Sequence, residues 1–524
     1  MLITSDYDIK FKYFLLKIIL TVIFVLLVIP NLGARTLWQD EAETALVAKQ
    51  MVKSNNWLPY AYDDQGPISQ DWNYQFSVSK LWRWHPWLQF YVTALSFELF
   101  GISTLTARLP FALAGILFFY YWISFIVKNG PKNRLFYLLA VGLVLTSVPL
   151  LLHIRQARYY SLALLFTLIA VDGYLIILKR LDLGTPKYIL GSILLFHSFL
   201  PGALALQISF WIHQLTVAVK FRELHKVSSF ARLFSITLLF TLPWAIWLKI
   251  GSQNLNLDPA IIKQNIHWHY IYIHKYIFPF FLLIPVSFSF LIKSFRVPMK
   301  SGRGNLAKTD CHVANAPRND EKNFVAITVL FSLIIFSNLG LYTINHPYFF
   351  RYLVPLIPFL VYISARAIVS LPKKLSIIAI FIAFLPNIKL FPNYLTEITH
   401  PYIGTNKQII EILNSGKFSG TKSLAVNYDD FTFRFHTNLI VHGAQELTNL
   451  NTCPDSVIIF PDWGNENLLE EIAGRCRLKN NPTEIHYAKL ADDSSPVNHL
   501  FTPPQAGSIK IFVKPPASLV YPSE

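Results

Sequence analysis

The chain has 524 residues, 53% of them hydrophobic and 15% charged, with a mean hydropathy of +0.40. An average soluble domain carries roughly 25% charged residues, so a fold solvated by water alone is excluded. The formal charge of +16 suggests nucleic acid as a partner, but its distribution along the chain argues against that reading.

Apolar runs of about 17 to 22 residues, each long enough to cross a hydrocarbon core of roughly 30 Å as a helix, recur over the first three quarters of the chain. Eleven candidates lie near 13–31, 106–127, 135–154, 161–178, 188–200, 202–219, 231–250, 273–293, 323–343, 352–370 and 375–391. The first is read as an uncleaved anchor, because its apolar core is too long for a secretory signal and no small-residue cleavage site follows it. The fifth and sixth meet at Pro201–Gly202 and are open to being one bent hairpin. The stretch 86–100 is short, contains Glu98 and is assigned as an interfacial helix.

With the N-terminus cytoplasmic, the cytoplasmic segments receive Lys10 and Lys12; Lys128, Lys132 and Arg134; Lys179, Arg180 and Lys187; and Lys220, Arg222, Lys226 and Arg232. The basic 294–322 loop and Lys373–Lys374 join them. This is the positive-inside bias that orients multispan proteins through short loops. The surplus charge is therefore mostly a topology signal, and the partners expected are a lipid bilayer and no nucleic acid.

Two sizeable regions are then expected outside: the first loop at about 32–105 and the tail at 392–524. The first loop opens with LWQDEAETALVAKQMV, in which Asp40 takes the N-cap of a helix and Glu41 its first turn. A capping acid favoured by the helix dipole explains both without any chemistry. WRWHP at 82–86 adds His85, a side chain that titrates near neutrality but is more often structural.

At the outer end of the third span, HIRQARYYSL (153–162) carries Arg155 and Arg158. A helical turn there would present both on one side, where arginines make bidentate contacts with phosphate; the alternative is snorkelling to lipid headgroups. HPYFFRYLVPLIP (346–358) repeats arginine and aromatics at a later outer mouth, where an interfacial aromatic belt is the structural alternative. Together these clusters bring a carboxylate, fixed cations and aromatic faces to one membrane depth. A carboxylate to deprotonate a hydroxyl and arginines to neutralise a departing phosphate make a chemistry that needs no nucleotide.

In the tail, IIEILN and ENLLEEIAG read as helices, and SLAVNY and SVIIFP as short buried strands. Cys453 and Cys476 both lie there, where a disulfide is permitted, and are either bridged or two unpaired core thiols. Cys311 falls in a cytoplasmic loop.

The order of these pieces resembles the GT-C membrane glycosyltransferases. The pieces are W-x-D-E-A at Trp38–Ala42, His85–Pro86 before a helix ending in LFG (99–101), ARLP (107–110), RQARYYSL and FRYLVPLIP. They are most similar to the family 39, protein mannosyltransferase-like branch that includes aminoarabinose transferases. The resemblance covers about residues 10–370. It implies an α-helical polytopic membrane protein of GT-C type, in line with the about eleven transmembrane helices counted over residues 1–391; the tail, 392–524, lies outside the resemblance and is expected from its own helix and strand pattern to be a small C-terminal α/β extracytoplasmic domain.

By the same resemblance Asp40 is the catalytic base with Glu41 in support, and Arg158 and Tyr159 lie at the donor site with Arg155 and Gln156 as neighbours. Arg351 and Tyr352 approach the carrier phosphate. His85 stands where many relatives carry a Lys-Pro-Pro or His-Pro-Pro, and is retained as a hydrogen-bond donor to it. The expected reaction transfers a sugar, with inversion, from a polyprenyl-phosphate donor to a hydroxyl of a lipid, glycan or protein acceptor on the extracytoplasmic side of a bacterial inner or plasma membrane.

No metal-ligand cluster is evident, although Asp40 and Glu41 are of a type that ligates a divalent cation, which leaves a metal requirement open. Two competing classes are a multispan transporter, which usually shows repeat halves and ionisable residues near the midplane, whereas this chain shows no repeat and its conspicuous arginines fall at span ends, with Asp172 among the few charges inside a span, and an oligosaccharide polymerase or ligase using a diphosphate-linked carrier.

Overall fold

A computed structural model of the chain describes residues 4–68, 80–221, 225–249, 258–274, 317–344, 350–401, 404–414, 421–443, 446–461, 464–478, 483–487 and 507–513. The expected eighth span, most of the basic 294–322 loop and the HPYF of the late motif lie outside these residues. Helices dominate. They are α1 (Thr4–Val28), α2 (Gln39–Lys53), α3 (Leu88–Phe100), α4 (Thr104–Asn129), α5 (Arg134–Leu145), α6 (Val148–Ile154), α7 (Tyr160–Ile177), α8 (Leu181–Phe196) and α9 (Leu200–Phe221). After them come α10 (His225–Trp247), α11 (Pro259–Tyr272), α12 (Pro317–Thr343), a 3-10 turn at Phe350–Leu356, α13 (Ile357–Val369) and α14 (Lys373–Thr399).

Six stretches among the described residues are long and apolar enough to cross a membrane: α4, α7, 200–219, 227–247, 351–369 and α14. The bent pair α5–α6, with 53° between its halves, makes a seventh. The chain is thus a multispan membrane protein, because a helix satisfies its own backbone where lipid offers no partner. The sequence expects eleven spans. Of the other four, the first and ninth fall on shorter apolar stretches, 13–28 and 327–343, the fifth on the 16-residue α8, and the eighth outside the described residues. The 86–100 segment forms α3, whose 13 residues reach only about 20 Å, too short to span.

Local chemistry sets the helix ends. Ser103 caps α4 by accepting from Thr106 N at 3.2 Å, and Asn133 caps α5 by accepting from Leu135 N at 2.9 Å. Glycine sets the closest packing: a Cβ on Gly173 of α7 would lie 2.3 Å from the backbone nitrogen of Tyr188 on α8, and one on Gly191 would lie 2.6 Å from that of Ala170. Small residues let the two helices touch backbone to backbone, the usual source of helix association where lipid removes the hydrophobic drive. Asp172 is buried on α7 but accepts from Lys128 at 2.8 Å and Lys187 at 2.9 Å, so this intramembrane charge is paired between α4, α7 and α8.

Two further layers sit beyond the bundle. The hairpin β1 (Tyr62–Asp63) and β2 (Gly66–Pro67) follows α2. After residue 404 come α15 (Thr405–Leu413), β3 (Ser423–Val426), α16 (Asp430–His436), β4 (Ile440–His442), β5 (Ser456–Ile459), α17 (Glu466–Arg475), β6 (Thr483–Tyr487) and β7 (Gly507–Val513). The strands form one sheet in the order β4-β3-β5-β7-β6, parallel across β4-β3-β5 and antiparallel across β5-β7-β6. Leu424, Val426 and Ile458 point to one core with Ile409 and Phe433, while Ala425, Val457 and Ile459 point to another with Leu469 and Ile472. Period-two alternation with both sets apolar marks a sheet covered on two faces. Cys453 and Cys476 are joined by a disulfide with a Cα–Cα distance of 5.3 Å, which resolves the two alternatives the sequence leaves open.

Candidate active site

α2 carries four of the polar side chains that matter. Its N-cap is Trp38, not Asp40 as the sequence suggests, because Glu41 reaches back to accept from Trp38 N at 3.4 Å and starts the helix two residues earlier. Asp40 and Glu41 therefore occupy the first turn, where the helix dipole favours acids. Successive positions on a helix point about 100° apart, and the two carboxylates diverge.

Glu41 turns into the protein. It is fully buried and takes a bidentate pair from Arg108, Nε to Oε1 at 2.8 Å and Nη2 to Oε2 at 2.6 Å, plus the Ala157 N–H at 2.7 Å. Arg108 also donates to the carbonyls of Leu32 (2.9 Å), Arg35 (3.0 Å) and Thr36 (2.8 Å). Glu41 thus ties α2 to α4 and to the 155–159 segment, and supports the wall of the site rather than the carboxylate of Asp40.

Asp40 stays 20% exposed and meets two cations from distant parts of the chain: Arg351 Nη1 donates to its Oδ2 at 2.6 Å, and Arg158 Nη2 stands 3.5 Å from the same oxygen. Arg351 comes from the 3-10 turn and lies over the Trp38 ring at 5.7 Å, a cation–π contact.

Arg158 is 2% exposed. Its Nη1 donates to the Asp40 carbonyl at 2.9 Å, Glu43 Oε1 at 3.0 Å and Thr44 Oγ1 at 3.1 Å, and its Nη2 lies 3.4 Å from His85 Nε2. Burial, then the charges of Arg158 and Arg351, holds the His85 imidazole well below its ordinary value, so it is neutral at physiological pH. Glu43 moves the other way. Burial, only partly offset by Arg158 and reinforced by the charge of Asp40, pushes its carboxyl up to about 7.

Residues 155–159 are not helical, since α6 stops at Ile154 and α7 starts at Tyr160. Arg155 and Arg158 therefore do not share a face, correcting the expectation of a helical turn. Arg155 points towards α1 and α14, donating to the Val28 carbonyl at 2.5 Å, with Tyr394 and Glu397 nearby. Gln156 is 2% exposed, and neither atom of its amide finds a hydrogen-bond partner among the described residues. The same holds for the hydroxyls of Tyr160 and Ser161, for Arg158 Nε and for His85 Nδ1. Each such buried group costs on the order of 1–3 kcal/mol, and clusters of them are expected where a polar ligand binds.

The aromatic residues form one side of the site. Tyr159 stacks on Phe199 at 5.0 Å and lies 5.7 Å from the His85 ring, and Tyr352 lies 5.7 Å from Tyr342 and 6.2 Å from Phe199. The structure thus gathers Asp40, His85, Arg158, Tyr159, Arg351 and Tyr352, and sends Glu41 and Arg155 to neighbouring packing contacts. Glu43, Thr44 and Arg108 are the additions that sequence reasoning missed. Glu43 had a signal, since three residues after Asp40 is the same helix face; Arg108 stood in the ARLP motif without an assigned role. Among the described residues no three His, Cys, Asp or Glu side chains gather as a metal-ligand set.

Neither a family model nor a curated protein matches the chain by sequence. Among solved structures the chain is similar to ArnT from Cupriavidus metallidurans bound to undecaprenyl phosphate, with 14% identity, a TM-score of 0.52, and coverage of 98% of this chain and 99% of that one. The apo state of the same protein aligns at 13% identity and a TM-score of 0.49 over 99% of this chain and 100% of that one. At such identity the first likeness establishes the fold: the GT-C architecture expected from the sequence extends over nearly the whole chain.

Proposed function

We propose that the protein is a glycosyltransferase that takes a sugar from a polyprenyl-phosphate carrier and passes it, with inversion, to an acceptor hydroxyl on the extracytoplasmic side. The observation that carries this reading is the convergence on Asp40 of two arginines from segments far apart in sequence, Arg158 and Arg351. A carboxylate between two fixed cations, walled by aromatic rings, suits a phosphate-linked sugar and the hydroxyl that attacks it. The fold supports the reading, since a protein of the same architecture was solved with undecaprenyl phosphate bound.

The chemistry follows from the charges. The phosphate of the donor lies between Arg158 and Arg351 and competes with Asp40 for the Arg351 guanidinium, which frees the carboxylate. Asp40 then takes the proton of the acceptor hydroxyl, and the oxygen attacks the anomeric carbon from the face opposite the carrier. The bond from that carbon to the phosphate oxygen breaks, and the carrier leaves as a phosphate monoester whose new charge the arginines neutralise. His85, neutral, hydrogen-bonds without adding charge, and Tyr159 and Tyr352 offer ring faces to the sugar. The positive-inside bias and the Cys453–Cys476 disulfide, a bond of oxidising compartments, support an outer site.

The test is transfer of radiolabelled sugar from a panel of polyprenyl-monophosphate sugars in membranes containing the wild type or Asp40→Asn. The variant is expected to lose about 10²- to 10⁴-fold in rate, the usual worth of a general base, with an unchanged melting temperature. Near-normal transfer by Asp40→Asn removes Asp40 from the role. Transfer only from diphosphate-linked sugars moves the protein to the polymerase or ligase class.

A further inference from the structure

Glu43 stands in the site without a part in the reaction as described. It lies one helical turn after Asp40 on α2, 9% exposed at its side chain, and it holds the guanidinium that the donor phosphate requires. Among the described residues, the charged groups that act on it most strongly belong to the same cluster: Asp40 on α2, Arg158 from the 155–159 segment, and Arg351 from the 3-10 turn. His85, from the 82–87 segment, reaches it only through Arg158. With both acids ionised and His85 neutral, two carboxylates balance two guanidiniums and the cluster carries no net charge. An anion entering a neutral, largely buried cluster has no charge to meet, and burying it unpaired is costly.

We propose that Glu43 is the counter-charge of the donor site: it yields Arg158 to the incoming phosphate by taking up one proton, and so fits the site to a carrier with a single phosphate charge. This rests on the donor reading above and narrows it. With Glu43 neutral the cluster carries one positive charge, which matches a phosphodiester and falls short of a diphosphate. The geometry allows the exchange, because Arg158 keeps the Asp40 carbonyl and Thr44 Oγ1 as partners for Nη1 when Glu43 lets go. Its Nε, buried and without a partner among the described residues, is a further donor for a phosphate oxygen. The proton is also within reach of neutral pH, since the Glu43 carboxyl is pushed up to about 7, first by burial.

The probe is farnesyl methyl phosphate, a phosphodiester whose one charge does not titrate between about pH 6 and 9, measured by calorimetry on the purified full chain. Wild-type affinity is expected to be level below about pH 7 and to fall about tenfold per pH unit above it, as linkage to one proton requires. Glu43→Gln is expected to bind with the wild-type low-pH affinity at every pH, and the wild type to bind farnesyl diphosphate more weakly than the diester. A pH-independent wild type, or a Glu43→Gln variant that keeps the wild-type slope, overturns the inference. Should the variant not fold, calorimetry of the wild type above pH 7 in two buffers of different ionisation enthalpy decides: about one proton taken up per ligand supports the inference, and none overturns it. No binding by the wild type at any pH overturns the donor reading itself, and this inference with it.

Discussion

Glu41 and Asp40 are adjacent, both acidic and both paired to arginine, yet substituting them is expected to break different things. Glu41 has no exposure and its partner Arg108 is 8% exposed at the side chain, with further bonds to three backbone carbonyls. Removing one member leaves the other charge buried and unpaired, which costs about 3–5 kcal/mol in known cases. Glu41→Gln and Arg108→Leu are therefore expected to lower the melting temperature and the yield of folded protein, measured by thermal unfolding in detergent. Asp40, one-fifth exposed, is expected to be neutral in that measurement and severe in transfer. If Glu41→Gln folds like the wild type but is inactive, Glu41 acts on the reaction and not on the wall.

At the scale of elements, α16 is the piece that joins the sheet to the site. Its Thr432 Oγ1 donates to the Leu37 carbonyl at 2.9 Å, and its His436 Nε2 accepts from Leu37 N at 3.1 Å. Gln39 donates to Asp430 at 2.6 Å and accepts from Phe431 N at 3.2 Å. Arg434 pairs with Asp63 and donates to the carbonyls of Gly66 and Pro67, which fixes the β1–β2 hairpin as well. Leu37 and Gln39, two of the three residues before Asp40, are thus clipped by a helix almost 400 positions later. Burial, with the charge of Glu446 adding to it, lifts the Asp430 carboxyl to about 6, although its bond from Gln39 pulls the other way. An acid whose folded value is raised favours folding fully below its unfolded value, and that contribution is lost as pH rises through the folded one. The stability of this junction is expected to drop between about pH 4 and 6. Asp430→Asn, which keeps the acceptor for Gln39, is expected to lose that drop, so that its melting temperature exceeds the wild type's at pH 7.5 and not at pH 4. Parallel curves for the two proteins would place the pH dependence elsewhere.

For the whole molecule, orientation is the open quantity with a direct test. Cys453 and Cys476 form the disulfide, which leaves Cys311 as the remaining one of the three cysteines. In intact cells a membrane-impermeant maleimide is expected to label Cys453 and Cys476 only after reductant, and Cys311 only after permeabilisation; the reverse pattern turns the protein over. Much of this large-scale plan was legible in the sequence because each contribution to it is local. An apolar run partitions into lipid by its own transfer free energy, so span positions such as 106–127 and 161–178 fall within a residue or two of α4 and α7. Asp40, Arg158 and Arg351 could be named for the same reason, as residue types at span mouths, whereas Glu43 and Arg108 could not. Which acid meets which arginine was decided only by the tertiary structure. The unwound 155–159 segment separates Arg155 from Arg158, the cap at Trp38 sets the rotation of α2, and Arg351 reaches Asp40 across 311 positions of sequence. Those pairings depend on the angle at which whole helices pack and on where a helix breaks, quantities that are sums over many distant contacts and that no local pattern encodes.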